Sequence, residues 1–302
     1  MKVLITGATG LVGSALVDEL RKAGKEVHYL TTSKSKISRQ PDFSGFFWDP
    51  SKNIIDADCF DGVTHIVNLA GATIAKRWTS NYKKQIQQSR IESLHTLKSG
   101  LTSLQNHTVE YLASASATGI YPDSLTEYYT EASLSRNPGF LGETVVKWEA
   151  AARSFEELGI VPGIFRIGIV LAGQGGALPE IIRPVRLGLG APLGNGQQWQ
   201  SWIHLKDLAR MFRFALNEQL EGVFNAVAPN PVTNQKLTRE VARILLKPMW
   251  LPRVPAWALW LGLGEMSQLL VASQRVSSEK IEMEGFDFEF KNVHQALENI
   301  LV

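Results

Sequence analysis

The chain alternates short apolar runs with stretches whose apolar positions recur every three or four residues. Val3, Leu4 and Ile5 open the pattern as an unbroken apolar run, the mark of a strand buried on both faces. From Leu11 to Ala23 the apolar positions take helical spacing, and Gly24 supplies the stop. Glu26 to Thr31, Gly45 to Asp49, His65 to Asn68, Val109 to Ala113, Val161 to Leu171 and Gly222 to Ala226 read as further strands. Between them, Thr79 to Leu104, Gly142 to Leu158 and Asp207 to Asn217 read as helices. Strands alternating with helices predict an α/β fold with a doubly wound parallel sheet. The chain ends in helices with brief breaks: Lys236 to Leu246, Pro255 to Ala272, Ser277 to Met283 and Val293 to Leu301.

From Gly173 the texture changes to glycine, proline and arginine in long loops, a plausible ligand wall rather than a core. Residues 1–172, rejoined by 198–226, are therefore expected to form the main α/β domain. Segments 173–197 and 227–302 should supply substrate-side loops and a smaller α-rich C-terminal lobe. The longest apolar stretch, Val254 to Gly264, is about half the roughly 20 residues of a membrane span, and it reads as a core helix.

The first break in the pattern carries the chemistry. Gly7, Gly10 and Gly13 stand three residues apart on a strand-to-helix turn. Gly7 allows the sharp turn, Gly10 lets backbone amides approach a pyrophosphate, and Gly13 permits close packing of helix on strand. The helix N-terminus adds its unpaired N–H groups and positive dipole end. Past the second strand, Thr31, Thr32, Ser33, Lys34, Ser35 and Lys36 include no acid. An NAD site places Asp or Glu there for the ribose 2′-hydroxyl; hydroxyls and ammonium groups suit a 2′-phosphate instead, so NADP(H) is the expected cofactor.

Trp48 would stand near the adenine, although a core role is the commoner one for such a residue. Ala70 and Gly71 end the fourth strand where backbone can lie against the cofactor ribose. Ser114 to Pro122 reads as a hydroxyl-dense loop at the end of a central strand, where open α/β sheets place ligands. Small hydroxyls there can equally satisfy backbone groups.

Charge and cysteine content narrow the partners. With 31 basic and 29 acidic residues and no block of like charge, nothing points to nucleic acid or an anionic membrane. The single cysteine, Cys59, excludes an intrachain disulfide and a cysteine metal cluster, and fits the cytoplasm. No secretory signal is expected ahead of the first strand. A small-molecule substrate is expected, and an oligomer is compatible with the sequence.

The glycine turn, the run Asn68-Leu69-Ala70-Gly71, the Ser114 to Tyr121 segment and Trp202-Ile203-His204-Leu205-Lys206-Asp207 together resemble an extended short-chain dehydrogenase/reductase. More narrowly, the chain is similar to the atypical epimerase family proteins, the bacterial YfcH-like group. Lys76-Arg77-Trp78, Ser89-Arg90, Arg183 to Gly188, Ala228 to Val232, Gly264-Glu265 and Ser273 to Arg275 carry the similarity along nearly the whole length. The resemblance implies a Rossmann fold that binds NADP(H), with the C-terminal third on the substrate side. The candidate cofactor contacts are Gly7, Ala8, Thr9, Gly10, Leu11, Val12, Gly13, Thr31, Thr32, Ser33, Lys34, Trp48, Leu69, Ala70, Gly71, Arg90, Ser114 and Arg166.

The wider superfamily uses a serine, a tyrosine and a lysine four residues after that tyrosine. Ser116 matches the serine. With Glu149 as anchor, the tyrosine position falls on Leu141 and the lysine position on Val145, and Lys147 lies about 200° round the helix from Val145. Tyr121 is the nearest replacement acid, so Ser116 and Tyr121 are the candidate catalytic residues, with Glu143 and His204 as alternatives. Arg166, Arg183 and Arg186 are candidates for holding a substrate phosphate or carboxylate.

Two functions follow: an NADP-dependent oxidoreductase or epimerase acting on a hydroxyl or carbonyl, such as that of a sugar nucleotide, or a non-catalytic NADP(H) sensor. Replacing Lys34 and Lys36 with alanine should weaken NADPH binding by about tenfold, the worth of one charge-assisted hydrogen bond, and leave NADH binding unchanged. Equal calorimetric losses for both cofactors would remove the 2′-phosphate assignment.

Overall fold

Burial of the apolar runs on both faces produces a central sheet in a computed structural model that describes all 302 residues. The first half supplies β1 (Lys2–Thr6), α1 (Leu11–Lys22), β2 (Glu26–Thr31), β3 (Arg39–Gln40), β4 (Phe43–Asp49), β5 (Ile54–Ile55), β6 (His65–Asn68) and α2 (Ser80–Thr102). There follow β7 (Tyr111–Ala117), β8 (Tyr128–Tyr129), α3 (Phe140–Arg153), β9 (Val161–Ile167), β10 (Ile169–Leu171), α4 (Leu178–Arg186), β11 (Trp199–Gln200), β12 (Trp202–His204), α5 (Leu205–Glu218) and β13 (Gly222–Ala226). The remainder is β14 (Val232–Thr233), α6 (Asn234–Ile244), α7 (Ala256–Leu263), α8 (Gln268–Val271), β15 (Arg275–Val276), α9 (Glu279–Met283) and α10 (Val293–Leu301).

The sheet runs β13-β9-β7-β6-β1-β2-β4-β3, parallel from β13 to β4, with the short β3 and β5 antiparallel to β4. The chain winds outward from β1 through β2 to β4, then returns to β6 and winds the other way. The reversal opens a crevice between the carboxyl ends of β1 and β6, the position where such sheets bind ligands. Helices α1 and α5 pack together, as do α2 and α3. Val3, Leu4, Ile5, Ile66, Val67, Leu112 and Ala113 are wholly buried in the main core. A second core joins Leu178, Ile182 and Val185 of α4 to Leu237 and Val241 of α6 and Ala296 and Leu297 of α10.

The expected α/β doubly wound fold is present, and several local readings change. Ser114 to Ala117 is strand, because those residues pair in register with Ile164 to Ile167 of β9. The strand expected over Val161 to Leu171 divides at Gly168. A Cβ on that glycine would lie 2.2 Å from the Ser201 carbonyl, and β10 leaves the main sheet to pair with β12. The loops after Gly173 contain α4, whose first turn carries Pro179 where no amide donor is needed.

The largest correction concerns Val254 to Gly264. Helix α7 has no buried residue; Trp257 and Trp260 are 67% and 60% exposed. The helical run expected to Ala272 is interrupted at Gly264, which takes a positive φ of 61°. Hydrophobic composition sets how a helix would be buried if a partner surface were offered, and here only Ala258, Leu259 and Leu263 are partly covered. Replacing Trp257 and Trp260 together with glutamine should therefore shift unfolding stability by no more than about 0.5 kcal/mol per site, as read by urea denaturation; a loss of several kcal/mol would return the helix to the core.

Candidate functional site

The site begins where β1 ends. Gly7 has φ 71°, and a Cβ there would stand 2.9 Å from the Leu69 carbonyl oxygen at the end of β6. Gly10 N–H donates to the Gly7 carbonyl at 2.9 Å and closes the turn. A Cβ on Gly13 would fall 2.1 Å from the same carbonyl, so α1 can approach the strand only with glycine there. Helix α1 starts without a side-chain cap and without an acid in its first turn. The amides of Leu11, Val12 and Gly13 find no acceptor in the protein, and Thr9 and Gly10 are exposed beside them. A cradle of free amides at a positive helix end fits the diphosphate of a dinucleotide.

Thr6 holds the cradle in place. Its buried hydroxyl donates to Asn68 Oδ1 at 2.8 Å and accepts from the amides of Leu69 and Ala70 at 3.0 and 3.1 Å. Its signal in the sequence was a lone hydroxyl closing an apolar run. Gly71 is exposed, and beneath it Arg90 donates to the carbonyls of Ala72 and Ile86 at 3.1 and 2.9 Å. Burial lowers Arg90 to about 10, and its guanidinium lies over the Trp148 ring at 5.1 Å. At the end of β2, Thr31 Oγ1 accepts from the Ser33 amide at 3.2 Å, while Thr32 and Lys34 are exposed. Other expected contacts are enclosed. Trp48 is 3% exposed within the main core, and Ser114 is wholly buried with its hydroxyl on the Ala115 carbonyl.

A second set of residues meets beneath the carboxyl ends of β7 and β9. Register places Ser116 opposite Arg166, and α3 brings Glu149 between them. Arg166 grips Glu149 with two bonds, Nε to Oε1 at 2.7 Å and Nη2 to Oε2 at 3.0 Å. Ser116 donates to Glu149 Oε1 at 2.8 Å. Arg166 Nη1 donates to the Tyr121 hydroxyl at 2.9 Å, which donates to Asn225 Oδ1 at 2.7 Å. Burial pushes the Tyr121 hydroxyl up, against the opposing pull of Arg166. For Arg166 burial acts downward, but the Glu149 carboxylate outweighs it and the net direction is up. All four are buried, with Tyr121 0%, Arg166 and Ser116 2% and Glu149 6% exposed. Tyr121 and Arg166 present no free group to a ligand as expected, because each is committed to this chain of bonds, whereas the Ser116 oxygen, which only donates, keeps an unused acceptor position.

The remaining candidates are dispersed. Val145 is 3% exposed and packs with Ile120 and Tyr121, and Leu141 is half-buried beside Gly119. Lys147 is exposed and donates to Gln87 Oε1 of α2 at 3.2 Å. Glu143 is exposed in the first turn of α3. His204 caps α5 through Nδ1, which accepts from the Lys206 amide, and its ring stacks on Phe290 at 3.9 Å. Arg183 and Arg186 lie exposed on α4, Arg183 beside Glu180.

Comparison with known proteins bears on this geometry. Residues 3–226 match the model of the NAD dependent epimerase/dehydratase family, and residues 254–300 match a domain of unknown function, DUF1731. "Epimerase family protein SAR0825" of Staphylococcus aureus (strain MRSA252) is 39% identical over 99% of this chain and 98% of its own. The structure of "human epimerase family protein SDR39U1 (isoform2) with NADPH" is 30% identical, with a TM-score of 0.85 over 99% of both chains. A "nucleoside-diphosphate sugar epimerase from Corynebacterium glutamicum" is 30% identical with a TM-score of 0.79, covering all of this chain and 58% of that one.

Replacing Arg166 with methionine should cost about 3–5 kcal/mol, because it strands the Glu149 carboxylate in the interior. Replacing both, as Arg166→Met with Glu149→Gln, should cost less than the single change. Urea denaturation of both variants measures the difference, and a double variant less stable than the single would contradict a buried charge pair.

Proposed function

The chain belongs to the NAD dependent epimerase/dehydratase family, and on that premise we propose an NADP(H)-dependent oxidoreductase or epimerase acting on a hydroxyl or carbonyl of a nucleotide-linked sugar. The free amides of Leu11, Val12 and Gly13 carry the reading, since they form an anion site at the sheet's switch point. NADP is favoured over NAD by the absence of an acid between Thr31 and Lys36. The sugar-nucleotide class is supported by the name of the C. glutamicum relative. Residues 173–197 and 227–302 would supply the substrate side.

Bound nicotinamide supplies the acceptor or donor of hydride. Thr6 fixes the Leu69–Ala70 backbone, which would hold the ribose, and Ser116 and Glu149 would handle the proton. Ser116 has spent its own proton on Glu149, so its oxygen accepts from a substrate hydroxyl. During oxidation the alcohol proton passes to Ser116 as the serine proton passes to Glu149; reduction reverses both transfers. Arg166 holds the carboxylate in line for this relay, and Tyr121 anchors Arg166 from the far side.

A second reading is favoured by one observation. The helix positions matched to the superfamily's tyrosine and lysine are Leu141 and Val145, and Val145 is packed among apolar neighbours. That arrangement suits a protein that binds NADP(H) and signals its presence without turnover.

The test is calorimetry of NADPH binding followed by cofactor turnover on a panel of UDP-sugars and simple carbonyls. Binding with turnover supports the enzyme, and Glu149→Gln should then lower kcat by roughly 100-fold or more while NADPH affinity stays within about twofold. Binding without turnover on any substrate leaves the sensor, and no binding heat with either reduced cofactor ends both readings.

A further inference from the structure

The segment after β2 carries three cations, Lys34, Lys36 and Arg39, and no carboxylate lies within ion-pair distance of any of them. Lys34 Nζ stands 5.3 Å from the Phe47 ring centre, and the Arg39 guanidinium 5.7 Å from that of Phe46. Nearby Arg21, by contrast, is tied to Asp42 at 3.1 Å. Lys34 and Lys36 in the connection and Arg39 at the start of β3 repel one another, so something must hold the connection in one shape.

Tyr29 does so from below. Its hydroxyl donates to the Lys36 carbonyl at 2.7 Å and accepts from the Ser38 amide at 2.8 Å, gripping the backbone on both sides of Ile37. The ring is 2% exposed and stacks on Phe43 at 4.5 Å. It crosses β4 at Gly45, where a Cβ would lie 2.4 Å from Tyr29 Cζ and 2.5 Å from its hydroxyl oxygen. Upstream, the Ser33 amide is held by Thr31, and the Ser33 and Ser35 hydroxyls stand 2.9 Å apart.

We propose that Tyr29, given room by Gly45, is the positioning residue for cofactor selectivity: it fixes the Ser33–Lys36 turn so that its cations and hydroxyls meet a ribose 2′-phosphate. This rests on the NADP reading and adds its cause. A loop already held in shape gives up less conformational freedom when the phosphate binds. Because the 2′-phosphate is the only group that distinguishes the two cofactors, loss of that order weakens NADPH and spares NADH.

The experiment measures dissociation constants for NADPH, NADH and 2′,5′-ADP on the full chain, with melting temperature recorded alongside. The wild-type protein should prefer NADPH by at least about tenfold. Tyr29→Phe keeps the ring and removes the hydroxyl; it should reduce that preference by roughly three- to tenfold, weaken 2′,5′-ADP equally and leave NADH unchanged. Gly45→Ala, which displaces the ring, should act in the same direction. If wild-type preference is present and survives both variants, or if both cofactors weaken together, Tyr29 is structural only and this inference falls alone. If the wild-type protein binds NADH as tightly as NADPH, the NADP reading fails and the role of Tyr29 goes with it.

Discussion

The close approach of two strand ends, β1 at Thr6–Gly7 and β6 at Asn68–Ala70, is the constraint on which the rest of the molecule depends. A Cβ on Gly7 would press on the Leu69 carbonyl, so only glycine lets the ends meet. The Thr6 hydroxyl then satisfies three polar groups at once, the buried Asn68 oxygen and the partly buried amides of Leu69 and Ala70, as burial generally requires. With both strands fixed, the first turn of α1 points its free amides into the crevice. That single arrangement leaves a cradle of free amides in otherwise ordinary backbone.

The buried pair of Glu149 and Arg166 organises the other half of the site. Two ionised groups removed from water are tolerated only when geometry and extra hydrogen bonds compensate, and here Ser116, Tyr121 and Asn225 complete the set. The consequence is rigidity: β7, α3, β9 and β13 are tied at one point beneath the ligand crevice. It also redistributes chemistry. Tyr121 and Arg166, which stand exposed in no direction, spend their polar groups on one another and on Glu149 and Asn225.

The C-terminal lobe shows a different balance. Helices α4, α6 and α10 bury their apolar faces against one another, while α7 leaves Trp257, Trp260 and Leu261 in solvent. The segment that follows is held at its ends: Glu265 pairs with Lys83 of α2, and Ser273 bonds Asp123 and Ser124. These contacts tie the lobe to α2 and to the segment that follows β7.

Much of the fold was determined by the sequence itself. Buried apolar runs have no solvated alternative, and Gly7 and Gly13 occupy positions where a Cβ would collide with backbone, so the parallel sheet and the glycine turn were legible from residue order. Local pattern could not decide whether Ser114 to Ala117 was loop or strand, because small residues follow whichever neighbour pairs with them, and β9 settled it. Nor could it reveal that Glu149 would meet Arg166 and Ser116. Their separation along the chain carries no signal, and only packing α3 onto the sheet closes the distance. Whether α7 would be buried was likewise a question of which surface stood opposite, and hydrophobicity is a property of the residue, whereas burial belongs to the neighbours that tertiary structure supplies.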